Sequence, residues 1–179
     1  MLFLICRIYK IAITLFLFLP LTSFGQLIIF DGSIPKGFSI GVDSHFGDHD
    51  WLEPVGKAIK LSYPGEQGWG ALYIALGSIY PDSKKEKRKT KDLSEYFILS
   101  IDMKGAMGGE NVSIGMKDKN DLNNGMETKE SVTLSSDWET YNFITKSFKT
   151  ADLTKIHVPI EIIFGKEKAT IYFKNIKFF

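Results

Sequence analysis

Sulfur chemistry is almost absent from this chain. Its one cysteine, Cys6, lies in the amino-terminal segment. The remainder can form no disulfide and offers neither a thiolate nucleophile nor a thiolate ligand to a metal. Charge of one sign is missing too, since 22 basic residues face 21 acidic ones, and that balance gives no chain-wide field for nucleic acid or an anionic membrane. No G-x-S-x-G elbow and no phosphate-cradling glycine loop occurs, and no fixed-period repeat runs through the chain. Cysteine-dependent catalysis, phosphate-loop chemistry and binding of nucleic acid by bulk charge are thereby set aside.

Residues 1–25 differ from the rest. Arg7 and Lys10 precede the apolar run Ile11 to Leu19, Pro20 breaks it, and Ser23 and Gly25 place small residues just ahead of Gln26. This is the build of a secretory signal peptide cut near Gly25/Gln26, with an apolar core short for a membrane span. An uncleaved anchor is the alternative, because Met1 to Cys6 is apolar as well. Cys6 is not beside the cut, where a bacterial lipoprotein would need it. The expectation is a secreted or periplasmic product with no membrane span after cleavage, and one domain over residues 26–179 held together by its core.

That domain reads as strands. From Gly65 to Leu76 a glycine-punctuated turn feeds an alternating run, with Gly70, Leu72, Ile74 and Leu76 on one side and Trp69, Ala71, Tyr73 and Ala75 on the other. Period two is the strand signature. One row is core. The other is either an aromatic platform of Trp69 and Tyr73 or a second buried face. The same alternation marks Lys57 to Tyr63. It recurs in Tyr96 to Lys104, where Phe97, Leu99, Ile101 and Met103 oppose Ile98, Ser100, Asp102 and Lys104, and again in Val112, Ile114 and Met116 against Ser113, Gly115 and Lys117.

A short apolar run at Leu27 to Phe30, a short strand ending at Val132 and Leu134, and further strands over Tyr141 to Phe148, Val158 to Phe164 and Ala169 to Phe179 complete the set. Ser33 to Pro54 reads as an edge strand and then a long loop, Tyr80 to Lys91 and Asp118 to Lys129 as polar loops, and Asp152-Leu153 as the opening of one helical turn. About ten strands with almost no helix indicate a β-sandwich.

Several phrases then coincide in order: W-G-A-L-Y from Trp69, D-L-S-E-Y-F-I-L-S-I-D-M-K-G from Asp92, G-G-E-N-V-S-I-G from Gly108, D-W-E-T-Y-N-F from Asp137, and A-T-I-Y-F-K-N-I-K-F from Ala169. The series resembles the galactose-binding-like jelly rolls, in particular carbohydrate-binding modules and small exported proteins of Bacteroidetes-type bacteria, over most of Asp31 to Phe179. The resemblance implies an all-β, two-sheet jelly roll that binds saccharide or polysaccharide on a concave face or at edge loops. As a single domain the chain would work as a free binder or pair with a separately encoded enzyme or surface protein, and its charge balance argues for no nucleic acid. The resemblance also implies a structural role for Trp138 and Tyr141, and in such domains an acidic residue ahead of Asn-Ile helps an acid near the domain start to hold calcium. Here Asn175-Ile176 follows Lys174, with Asp31 near the start. A lysine cannot ligate Ca²⁺ and repels it, so no cofactor is expected.

If the strands bearing Trp69, Asp102 and Ser113 are neighbours, their outward rows make one groove. Trp69 and Tyr73 would stack sugar rings, Asp102, Lys104 and Lys117 would bond hydroxyls, and Glu66 and Gln67 would add acceptors at a rim. The alternative is that these are ordinary solvated positions on a structural or protein-interaction sandwich with no sugar ligand.

Asp43, His45, Asp48, His49 and Asp50 are the one metal-like grouping, but their glycine-rich setting reads as a polar loop. Catalysis is not expected. A glycosidase needs two carboxyls facing one another across a cleft, and no local spacing of Asp102 or Glu66 with Glu161 or Asp118 demands that. His157, beside a strand start, reads as structural.

Overall fold

The computed structural model describes residues 25–47, 50–77 and 84–179. Nearly all of the segment read as a signal peptide lies outside these residues, as do Asp48 and His49. Among the described residues no helix is long and apolar enough to cross a membrane. The strands are β1 (Leu27–Phe30), β2 (Phe38–Ser44), β3 (Leu52–Val55), β4 (Ala58–Tyr63), β5 (Gly70–Leu76), β6 (Ile98–Gly105), β7 (Asn111–Asp118), β8 (Lys129–Thr133), β9 (Glu139–Ile144), β10 (Ile156–Phe164) and β11 (Ala169–Phe178).

These strands make two antiparallel sheets. One runs β3-β4-β11-β6-β9 with β1 also paired to β11, and the other runs β2-β5-β10-β7-β8. The chain crosses repeatedly between them, as the all-β sandwich reading requires. Between the sheets the alternating rows meet: Leu72, Ile74, Ile114, Ile160 and Ile162 from one side, and Leu99, Ile101, Met103, Ile171 and Phe173 from the other, all fully buried. Each such side chain contributes about 1.5–3 kcal/mol relative to an exposed one, before the entropy of ordering it is subtracted.

Two interruptions show how the sheets absorb awkward residues. Pro159 sits inside the central strand β10, where a missing N–H would break a ladder. The pairing of β10 with β7 slips between Val158 and Glu161, and the slip removes the demand. On β11 the pairing with β6 slips between Lys174 and Lys177, where Asn175 adopts φ 50°, a conformation asparagine tolerates better than most residues. At the same point the neighbour on the far side of β11 changes from β4 to β1.

Local reading departs from the structure in two places. Leu52–Val55 is a strand where a loop was expected from the Gly-, Asp-, Ser- and His-rich stretch that ends at Pro54; β3 is an edge strand, where proline is tolerated. The strand expected over Tyr141 to Phe148 stops at Ile144 and turns through Thr145–Ser147. Thr145 is drawn inward there, its amide donating to the Phe97 carbonyl at 3.0 Å. The turn expected at Asp152-Leu153 is present, capped by the Asp152 carboxylate accepting from the Thr154 amide.

Candidate binding face

Strand register orders the outer side of the five-stranded sheet into rows. Asp43, Ala71, Ile163, Ser113 and Ser131 share one, and Gly41, Tyr73, Glu161, Gly115 and Lys129 share the next. The two ends of this face differ in kind. Toward the end of β5 the face is covered. Tyr73 is only 1 % exposed, and its ring lies across Gly41, where an added Cβ would come 2.6 Å from the Tyr73 hydroxyl. Tyr73, Ala75 and Val158 form a small apolar cluster separate from the main core.

Beside that cluster Glu161 is buried and its Oε1 lies 2.9 Å from Lys117 Nζ, which is also 3.9 Å from Asp121. Segments 84–91 and 118–129 close over this part: Arg88 donates to the carbonyls of Lys119 and Asp121 at 3.0 and 3.1 Å, and His157 Nδ1 sits 2.9 Å from the Lys89 carbonyl. Burial pushes the Glu161 carboxyl up to about 7 against the opposing pull of Lys117. Burial also holds the His157 imidazole below its ordinary value, which fits the structural role read for it.

Toward the start of β5 the face is open. Gly70 points inward, where a Cβ would come 2.6 Å from the Tyr63 ring and 2.9 Å from Trp51. Tyr63 in turn stacks on Phe164 with ring centroids 4.9 Å apart and meets Trp51 edge-on. With Gly70 fixed against this aromatic stack, alternation sends Trp69 outward, and it is 43 % exposed. The turn before it packs against the end of β2, where Phe46 is 67 % exposed and His45 meets it edge-on at 5.0 Å.

Glu66 is exposed at the same end and lines a recess of about 610 Å³ with Gly65, Gly68, Lys166 and Lys168. A second recess of about 610 Å³ is lined by Asn111, Ser113, Lys129, Ser131, Ile163 and Lys166, among others. Its Ser113 and Ser131 hydroxyls are 3.1 Å apart. Hydroxyls, amide and amine thus line one recess and Glu66 the other, the two sharing Lys166 and Lys168, while the exposed Trp69 ring stands just ahead of β5; together these residue types can stack a sugar ring and bond hydroxyls.

Asp102 and Lys104 are elsewhere. They lie on β6, in the six-stranded sheet, on the opposite outer side of the sandwich. Asp102 accepts from the Thr140 hydroxyl and from Asn175 Nδ2, each at 2.7 Å. Lys104 Nζ stands 5.1 Å from the Tyr172 ring centroid and 5.7 Å from that of Trp138, and Lys174 Nζ is 4.2 Å from the Trp138 centroid.

The single groove expected from three neighbouring strands therefore does not exist. β5 and β7 belong to one sheet and β6 to the other, so Asp102 and Lys104 lie across the sandwich from the outer face of β5, while Glu66 sits in the β4–β5 turn against the β10–β11 turn. Tyr73 and Lys117 face outward as the alternation requires, but both are buried. The expected two-ring platform reduces to Trp69, and Lys117 is committed to Glu161.

The pair given a structural role by resemblance divides as well. Tyr141 packs on the core and its hydroxyl accepts from the Ser135 amide at 3.1 Å, while Trp138 points outward and is 38 % exposed. Phe46 was not singled out by periodicity, since it lies in a turn. Its one signal is a large apolar side chain set among His, Gly and Asp. Among the described residues no three His, Cys, Asp or Glu side chains gather in a way that could hold a metal ion.

The family described as Carbohydrate binding domain 30 matches residues 65–179. Among solved structures, the chain is similar to the family 30 carbohydrate-binding module of a cellulosomal cellulase of Clostridium thermocellum. That match has 21 % identity and a TM-score of 0.60, over 87 % of this chain and 97 % of that one. It is similar to another family 30 module at 20 % identity and TM-score 0.61, over 87 % and 98 % of the two chains. A family 29 module complexed with mannohexaose matches at 16 % identity and TM-score 0.58, over 86 % and 90 %. These likenesses show a shared jelly-roll sandwich. Among curated proteins none matches. The family match spans more than half of the chain, and this protein belongs to carbohydrate binding domain family 30.

Proposed function

We propose that this protein is an exported, non-catalytic binder that takes saccharide against Trp69 at the open end of the five-stranded sheet. The observation that carries the reading is Trp69 itself, a tryptophan 43 % exposed just ahead of β5, in a domain of a carbohydrate-binding family. Glu66 lines one neighbouring recess and Ser113 and Ser131 another, with Lys166 common to both, so that successive units of a chain running past the indole would find hydroxyl partners. Phe46 extends the apolar surface.

Support for the non-catalytic reading comes from the carboxylates. Asp102 and Glu161 lie in different sheets on opposite outer sides, with a core about 10 Å thick between them. Glu161 is buried against Lys117, and Asp118 accepts from the amides of Asn120 and Asp152. No pair of these straddles a cleft as glycoside hydrolysis requires. Export rests on the composition of residues 7–25. A domain of this kind would serve a separately encoded enzyme or surface protein by holding it to a glycan.

The second reading, a structural or protein-interaction sandwich, draws support from the burial of Tyr73, which leaves Trp69 without the partner ring that a longer platform would have. A glycan-array screen, followed by a reducing-end assay on every glycan that binds, tests the choice. Binding without release of new reducing ends is expected. No binding to any glycan would favour the second reading, and turnover would overturn the non-catalytic one.

A further inference from the structure

The outer side of the six-stranded sheet has its own chemistry. Register aligns Glu53, Lys60, Tyr172 and Lys104 in one row, with Trp138 continuing it ahead of β9, and Val55, Ala58, Lys174, Asp102 and Thr140 in the next. A recess of about 380 Å³ opens between these rows, lined by Val55, Lys57, Ala58, Lys104, Trp138, Tyr172 and Lys174. Its floor is apolar because Ala58 leaves a gap where its neighbours carry long side chains. Its walls are two aromatic rings, and three ammonium groups surround it.

The two acids in these rows are already engaged. Glu53 pairs with Lys60 at 2.7 Å, and both Asp102 oxygens accept hydrogen bonds from Thr140 and Asn175. Among the described residues Lys57, Lys104 and Lys174 have no carboxylate within 4.0 Å. Lys104 and Lys174 are instead held over the Trp138 ring. Cation–π contact fixes those two side chains and reduces the ordering cost of a ligand that uses them. It also decides the sign of that ligand. A platform for a neutral sugar is a bare ring, whereas this indole is capped by ammonium at 4.2 Å.

We propose that this recess is a second binding site, on the opposite side of the sandwich from Trp69, and that it takes an anionic saccharide. The carboxylate or sulfate of an acidic sugar bridges Lys104 and Lys174 by charge-assisted hydrogen bonds, and the sugar's C–H face rests on Val55, Ala58 and the edge of Tyr172. Lys57 extends the basic surface into the β3–β4 turn, two strands away from Lys104, whereas Lys60 is neutralised by Glu53. That separation of about 9.6 Å suits the spacing of alternate charged units in an extended acidic polysaccharide. The ligand class rests on the saccharide reading above, but the site does not use the Trp69 face.

The test is calorimetric titration of the protein with four probes: an oligogalacturonate carrying carboxylates, a carrageenan oligosaccharide carrying sulfate esters, a neutral cello- or manno-oligosaccharide, and duplex DNA. The expected result is binding of at least one acidic oligosaccharide, weakening about tenfold between about 50 and 200 mM salt. The variant carrying Lys104→Met and Lys174→Met should lose at least about tenfold of that affinity with its melting temperature nearly kept, and Trp69→Ala should leave it unchanged. Should the double variant melt much lower, Lys57→Glu, in the exposed β3–β4 turn, takes its place with the same expected loss. Comparing the carboxylate and sulfate probes identifies the anion.

The proposal is overturned if neither acidic sugar binds, if binding survives the lysine variants, or if DNA binds as tightly as the sugars. Loss of neutral-sugar binding in Trp69→Ala, or its absence in the parent, reports on the first site alone.

Discussion

The two outer faces of the sandwich are built by the same alternation and end in opposite states. On the five-stranded sheet the outward row of β5 runs from an exposed Trp69 into a buried Tyr73 within four residues, and the outward Lys117 of β7 is sealed against Glu161. On the six-stranded sheet Asp102 and Lys104 of β6 and Tyr172 and Lys174 of β11 stay partly accessible, although Ser100 is buried, and Lys104 and Lys174 lie over aromatic rings instead of pairing with acids. The difference comes from what lies above each sheet. Segments 84–91 and 118–129 fold over half of the first face through Arg88 and Lys89, whereas only the short β3–β4 turn and the residues ahead of β9 rise beside the second. A strand's period decides which side chains leave the core. It does not decide which of them meet water.

The sharpest way to break this comparison is to remove one lysine from each face. Lys117→Met strands the buried Glu161 carboxylate and should cost about 3–5 kcal/mol in denaturant unfolding. Lys104→Met loses a partly exposed cation–π contact and should cost no more than about 1 kcal/mol. Equal losses would mean that the two faces are not differently covered.

Aromatic truncation sharpens the same point within one strand. Tyr73→Ala should cost about 3–5 kcal/mol as a core truncation, while Trp69→Ala should shift the melting temperature little.

A pH series comes next in size. Glu161 titrates near 7 in the folded protein against an ordinary 4.5, so between those values the folded state keeps a proton that the unfolded chain releases. This group's contribution is therefore most favourable below about pH 4.5 and declines as pH rises toward 7. Glu161→Gln should flatten that decline, measured as unfolding free energy against pH. An unchanged slope would remove Glu161 as its source.

A small effect is expected at Asn175, on the open face. Asn175→Ala gives up a tolerated positive φ and the hydrogen bond to Asp102, for a loss of about 1 kcal/mol.

What could be read from the chain follows from how local each signal is. The rows Leu99, Ile101, Met103 and Leu72, Ile74 were legible because strand period is written in consecutive residues, and two aliphatic rows imply two sheets packed together. β3 was hidden because Glu53 and Pro54 suit an edge strand as well as a loop. The site was harder. Trp69 was legible as an outward ring, but whether Tyr73 and Lys117 are open depends on segments 84–91 and 118–129, far away in sequence. The placement of β6 in the sheet opposite β5 depends on pairing, which alternation does not encode. Lys174 illustrates the limit from the other side: its identity argues against a calcium ligand, while its position over Trp138 emerges only when β11 lies beside β6 and β6 beside β9.

The most direct test of the central claim is calorimetric titration of the tightest array glycan into the parent and into Trp69→Ala, with melting curves of both. The account predicts binding by the parent, loss of at least about tenfold in the variant, and melting temperatures within a few degrees of each other. Unchanged affinity in the variant would contradict it, because the open end of the five-stranded sheet would then not be the saccharide face. So would a collapse of the melting temperature, which would make Trp69 part of the core.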